Sequence, residues 1–267
     1  MSQVVFITGG SSGIGKTIGI FLQQKGYKVY GTSRDHSAYP NSKFPLIDMD
    51  VSQVESIQKA VDELIKKEGR IDILINNAGV GITGPLEETP IDELHYAMQV
   101  NFYGPVQVIN QVVPYMRNQN KGRIINITSI AGYMGLPYRG VYSASKAALG
   151  IVTETYRMEL SQFGIEMCSV APGDFATNIA ASRYHAPVLE NSPYKEIYGE
   201  SLKMMNQHVD QGSDPQKMAE AVYKILLKKK WKVHYRVGDG LQKLSTLLKK
   251  ILPDTLYEKM LKNHYKV

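Results

Sequence analysis

Hydrophobic positions along this chain follow two rhythms that keep trading places. Residues 4–8, Val4-Val5-Phe6-Ile7-Thr8, form a continuous apolar, β-branched run, the pattern of a strand buried on both faces. In residues 16–25 the apolar positions Ile18, Phe21 and Leu22 fall at helical spacing, and Gly26 stands where a left-handed cap closes a helix. The same reading predicts strands at 27–32, 44–48, 71–76, 123–128 and 165–171. Helices fall between them at 54–67, at 91–116 with a break or bend at Pro105, and at 141–163. This βαβα order means a doubly wound α/β fold, a parallel sheet with helices on both faces. No repeat, low-complexity segment or linker divides residues 1–267, which read as one domain with its core in 1–173.

After Pro172 the pattern loosens. Residues 174–212 hold Tyr184, His185, Tyr194, Tyr198, Met204 and Met205 among polar positions. They follow the carboxyl end of a strand, where open α/β sheets bind ligands, and read equally as a substrate-covering segment or as an ordinary packed helix pair. A helix at 218–227 and a short strand at 232–237 come next. The extension 238–267 opens with an apolar stripe at Leu241, Leu244, Leu247, Leu248, Ile251 and Leu252, ahead of Pro253. The stripe suits a helix packed on its own domain or on a second subunit. A peripheral membrane contact is the lesser alternative.

Composition narrows the classes. The chain of 267 residues is 43% hydrophobic and 21% charged, a globular balance. Its one cysteine, Cys168, excludes an internal disulfide and reads as a core residue of the 165–171 strand. No secretory leader or bilayer-length apolar run is present, so a soluble, cytoplasmic protein is expected. The net charge of +6 is concentrated near the C-terminus, as expected of solvated helix faces, with contact to an anionic surface as the sharper alternative. No nucleic-acid motif accompanies it. The histidines are scattered without ligand spacing, so no metal site is expected.

Two local patterns carry chemistry. The first apolar run is followed at once by Gly9-Gly10-Ser11-Ser12-Gly13-Ile14-Gly15 and then by a helix. Glycines let backbone approach a ligand closely, and a helix N-terminus offers N–H groups to a pyrophosphate. The second pattern is Tyr142-Ser143-Ala144-Ser145-Lys146. On a helix its phenol and ammonium share a face one turn apart, and an ammonium eases deprotonation of a phenol, as a general acid/base near neutral pH requires.

Together these residues reach a family. Thr8-Gly9-x-x-x-Gly13-x-Gly15 resembles the glycine motif of the short-chain dehydrogenases/reductases, single-domain enzymes on a Rossmann fold. Asn76-Asn77-Ala78-Gly79, Asn101, Ser129, Tyr142-x-x-x-Lys146, Pro172-Gly173 and Thr177 follow in the family's order. The resemblance runs from about residue 3 to 177, and more loosely to 227. It implies Tyr142 as general acid in carbonyl reduction and base in alcohol oxidation, with Lys146 lowering its pKa and bonding the nicotinamide ribose. It implies Ser129 as a donor to the carbonyl oxygen and Asn101 as holder of a water that links Lys146 to solvent. Gly9, Ser11, Ser12, Gly13, Ile14, Gly15, Asn77, Ala78, Gly79, Pro172, Gly173 and Thr177 would contact the cofactor, with Asp50-Val51 at the adenine edge. Ser33 stands where NAD-preferring members carry an acid, and Arg34 follows as in NADP-preferring ones, so NADP(H) is expected. Asp35 is the reservation, since a slip of two positions inverts the choice.

The reading is an NADP(H)-dependent oxidoreductase interconverting a ketone or aldehyde with its alcohol. The aromatic and methionine content of 174–212 and the leucine stripe point to an apolar, lipid-like substrate. Tyr133 and Tyr138, in the loop between Ser129 and Tyr142, are expected at the substrate pocket. The C-terminal extension resembles that of members acting on steroids, retinoids or lipid-like alcohols, and a homo-oligomer, dimer or tetramer, is expected. The alternatives are an acyl-carrier-linked 3-oxoacyl reductase and a non-catalytic nucleotide sensor on the same fold.

Overall fold

A computed structural model describes residues 2–175, 183–210 and 212–267, and within these the side chains of 206–210 are not described. The opening run forms β1 (Val4–Ile7), wholly buried. Val4 and Phe6 enter one core, Val5 and Ile7 the other, so helices are required on both faces. The chain continues through α1 (Gly13–Gln24), β2 (Lys28–Ser33), β3 (Leu46–Asp48), α2 (Val54–Glu68), β4 (Ile73–Asn76) and a two-residue β5 (Ile82–Thr83). Then come α3 (Ile91–Met98), α4 (Gly104–Asn118), β6 (Gly122–Ile127), α5 (Gly140–Leu160) and β7 (Ile165–Pro172). A second two-residue strand β8 (Tyr184–His185), α6 (Lys195–Asp210), α7 (Gln216–Leu226), β9 (His234–Val237), α8 (Gly240–Ile251) and α9 (Asp254–Tyr265) complete it.

Seven strands form one parallel sheet in the order β3-β2-β1-β4-β6-β7-β9. The order turns back between β1 and β4, the switch point where such sheets open a crevice at their carboxyl ends. Residues of α2 and α4 build the core on one face; those of α1 and α7 build the other. A third cluster joins Ile130, Met134, Ala171 and Tyr257 beneath Leu248 and Leu252. A buried amide ladder holds α5 to the sheet: Asn76 Nδ2 donates to Asn126 Oδ1 at 2.9 Å, and Asn126 Nδ2 to Thr153 Oγ1 at 2.9 Å.

The chain departs from the pattern in four places. Helix α1 starts at Gly13, because glycines carry no apolar signal. Residues 91–116 do not break at Pro105. Helix α3 runs through a π turn (Gln99–Tyr103) into α4 with helical angles at both junctions. Proline has no N–H for the Asn101 carbonyl four residues back, and the π turn takes up the misfit. Strands β5 and β8 pair in parallel, Ile82 with Tyr184 and Thr83 with His185, in runs too short to leave a pattern. The C-terminal extension was expected to be helical, but α9, beyond Pro253, was given no bounds of its own.

Candidate active site

The glycine loop is held open by its neighbours. Thr8 Oγ1 accepts from the N–H groups of Asn77 and Ala78, both at 2.9 Å. Asn77 Nδ2 donates to the carbonyls of Thr8 and Gly9, both at 3.0 Å. Gly9 has φ +65 and Gly13 φ +51, where side chains are strained. A Cβ on Gly15 would stand 2.3 Å from Gly9 O, so that position admits no other residue without moving the loop. Ser12, the N-cap of α1, makes no side-chain cap hydrogen bond, and the first turn of α1 holds no acid. Its N–H groups are thus oriented for an anion.

Over the carboxyl ends of β1 and β4 lies a cleft of ≈ 680 Å³. Of the residues expected to touch the cofactor, Gly9, Ser11, Ser12, Gly13, Ile14, Arg34, Asp50, Val51, Asn77, Ala78, Gly79, Tyr142, Lys146 and Pro172 line it. Gly15 sits behind the loop, and Gly173 lies under α8, where its Cβ would fall 1.9 Å from Gln242 Oε1. Thr177 lies outside the described residues. Sequence reasoning missed Tyr39, Tyr96 and Thr128 on the cleft wall. Thr128, beside Ser129, carried a positional signal; the two tyrosines carried none.

At one end of the cleft stand Tyr142 and Lys146. Lys146 is buried, and its Nζ donates to the Ile127 carbonyl at 3.2 Å. Burial pulls its pKa from 10.5 down to about 8. Tyr142, one turn earlier on α5, lines the same cleft, and the Arg139 guanidinium lies 5.7 Å from its ring centre. Gly79 leaves room for Lys146 and Asn101 together: a Cβ there would meet Asn101 Oδ1 at 3.0 Å and Lys146 Nζ at 3.2 Å. Asn101 is fully buried in the π turn. Its Oδ1 accepts from Val80 N, and its Nδ2 donates to Val80 O and Ser145 Oγ. Ser129 caps the turn Ile130–Tyr133, its Oγ accepting from Ala131 N at 3.1 Å. That leaves its O–H able to donate.

At the other end Arg34 is exposed on the cleft wall with Ser33 beside it. The carboxylate of Asp35 accepts from Ser37 N and Ser37 Oγ, which hold its pKa below the usual range and fix it as the cap of a separate turn. Asp50 likewise binds Ser52 N and Oγ. Neither Asp50 nor Ser52 caps α2, whose N-cap is Gln53 without a side-chain bond.

The tyrosines expected over the substrate are largely packed. Tyr198 is buried, its hydroxyl on Ala186 O at 2.9 Å, and the Tyr138 ring packs against it at a tilt, 5.1 Å between ring centres. Tyr133 lies 5.1 Å from the Arg236 guanidinium. Within the described part of 174–212, Tyr198 and Met205 therefore behave as packing residues. Cys168 is buried with its thiol pKa pushed up by desolvation, an inert core position. Among the described residues no helix is long and apolar enough to cross a membrane.

A family model described as short chain dehydrogenase matches residues 3–187. The chain is 39% identical over 266 residues to a 3-ketodihydrosphingosine reductase of Bacteroides thetaiotaomicron, covering 99% of this chain and 98% of that one. It is 30% identical over 272 residues to an NADPH-dependent 3-dehydrocapnine reductase of Ornithobacterium rhinotracheale, covering 95% and 94%. The solved structure of a short-chain dehydrogenase from Streptomyces avermitilis superposes with a TM-score of 0.82 at 30% identity, covering 98% of this chain and 95% of that one. The switch-point cleft, the glycine loop and these matches lead to one conclusion: the chain belongs to the short-chain dehydrogenase/reductase family and is an oxidoreductase.

Proposed function

We propose that this enzyme uses NADP(H) to interconvert a long-chain, lipid-like ketone and its alcohol, with a 3-keto compound such as 3-ketodihydrosphingosine the first to test. The observation that carries the chemistry is the cleft itself, with Tyr142 and the buried Lys146 at one end and Arg34 at the other. The residues fit a pyridine dinucleotide. The glycine loop and uncapped α1 would take the pyrophosphate, and Arg34 a 2′-phosphate, since Asp35 is engaged elsewhere. When bound, the cofactor supplies or takes the hydride. Tyr142 gives the carbonyl oxygen its proton, Ser129 donates a hydrogen bond to that oxygen, and the Lys146 ammonium favours the phenolate left behind. Both Asn101 amide hydrogens are donated and its Oδ1 accepts from Val80 N, so a water held by this residue would sit on its main-chain carbonyl, which Pro105 cannot reach. The lipid-like substrate is supported by the full-length match to a 3-ketodihydrosphingosine reductase. A homo-oligomer is supported by Ile151 and Met158, exposed at i and i+7 on α5.

The test is reduction by the purified chain with NADPH and, separately, NADH. The ketones are 3-ketodihydrosphingosine, a short water-soluble ketone and a carrier-linked 3-oxoacyl thioester. Turnover of the long-chain ketone with NADPH is expected. Turnover of the carrier-linked substrate alone would overturn the reading in favour of a 3-oxoacyl reductase. Tyr142→Phe is expected to bind NADPH as before and to lose at least about a hundredfold in turnover, the ring remaining and the proton donor gone.

A further inference from the structure

Helix α8 is laid on the protein with polar side chains inward. Gln242 donates to Asp174 Oδ2 at 3.0 Å, and Thr246, only 1% exposed, accepts from Arg236 at 2.7 Å. A helix of a globular domain ordinarily turns its apolar stripe to the core. Here Leu241, Leu244, Leu247 and Ile251 are 81%, 45%, 46% and 68% exposed, while Leu248 and Leu252 pack on the third cluster. The four exposed positions lie close together on one side of the helix and form an outward stripe. Lys243 and Lys250, both exposed, flank Leu247 at i−4 and i+3. The helix contains no Asp or Glu.

The flanking charge decides what covers this stripe. A second copy related by a two-fold axis would bring the face against itself, and with it the lysines of both helices, with no carboxylate on α8 to meet them. An anionic lipid surface meets both features, its acyl chains the leucines and its phosphates the lysines. The net charge of +6 acts in the same direction, and α9 adds exposed Leu256, Met260 and Lys259. On its inner side α8 rests through Gln242 on Gly173 and Asp174, at the carboxyl end of β7 beside the cleft.

We infer that α8 docks flat on an anionic bilayer, its leucine stripe at the headgroup–acyl boundary and its lysines on lipid phosphates. The docked helix holds the rim of the active site against the phase in which an apolar ketone dissolves. This last consequence rests on the proposed substrate class; the docking does not.

The test is flotation of the full chain with phosphatidylglycerol vesicles and with phosphatidylcholine vesicles. Binding to the anionic vesicles is expected, with weak binding to the neutral ones and loss at about 1 M salt, where the screening length falls to about 3 Å. The variant Leu244→Ser/Leu247→Ser/Ile251→Ser is expected to lower partitioning at least about tenfold, with NADPH-dependent turnover of a water-soluble ketone unchanged. Lys243→Gln/Lys250→Gln keeps the leucines, and is expected to weaken binding to anionic vesicles and flatten its salt dependence. That second variant also carries the test if the first fails to fold. A wild-type chain that stays in the aqueous fraction with both vesicles overturns the inference. So does a serine variant that floats like wild type, or one that only shifts the size of a soluble assembly. Flotation needs no turnover, so docking without ketone reduction would instead sink the proposed function.

Discussion

Lys146 is a cation inside a protein, and that has a measurable sign. Burial lowers its pKa from 10.5 to about 8, so the unfolded chain holds more protons between those values and stability rises with pH across that window. Below pH 8 the folded state carries a cost on the order of 3 kcal/mol. Lys146→Met is therefore expected to raise the urea midpoint of the cofactor-free protein at pH 7, with the gain shrinking towards pH 10.5, while turnover collapses. A lower midpoint at pH 7 would mean that the burial is not costly. Arg34→Ala is expected to raise KM for NADPH at least about tenfold and to leave KM for NADH nearly unchanged, the loss of one charge-assisted contact. The sequence made Tyr142 and Lys146 legible through their spacing, but it left Arg34 and Asp35 as rivals. The fold gives Asp35 a turn of its own to cap, which supports the role proposed for Arg34.

Among the elements, the main strands and the long helices were legible because burial on two faces or on one stripe leaves a period. What lacked a period was missed: the paired β5 and β8 and the π turn around Asn101. The leucine pattern of α8 gave a helix but not its rotation, which polar contacts to Asp174 and Arg236 set instead. The seat of α8 makes Gly173 a packing position. Gly173→Ala would put its Cβ on Gln242 and is expected to lower the thermal midpoint, and Gln242→Ala in the same chain to restore much of that loss by removing the clash. A double variant no more stable than the single one would show that the strain lies elsewhere.

For the whole molecule, the cofactor cleft and the C-terminal helices adjoin at Gly173 but share no described lining residue. The described cleft residues all precede Gly173, whereas α8 and α9 cover Ile130, Met134 and Ala171. Removing residues 238–267 is expected to lower Tm by at least about 5 °C through exposure of that cluster, with NADPH affinity changed by less than about threefold. A large loss of cofactor affinity would show that the two regions are coupled. The doubly wound class was legible from the βαβα order alone; the way the extension lies over the sheet's end was not, because it depends on single contacts between distant residues. The strand order also sets a schedule for the growing chain. The first strand made lies near the middle of the sheet and the last, β9, closes an edge. Until residues 234–237 leave the ribosome, β7 offers a free backbone edge of buried, apolar sequence to any neighbouring chain. A nascent chain stalled before His234 should thus be a target for chaperones, and one stalled after Val237 much less so.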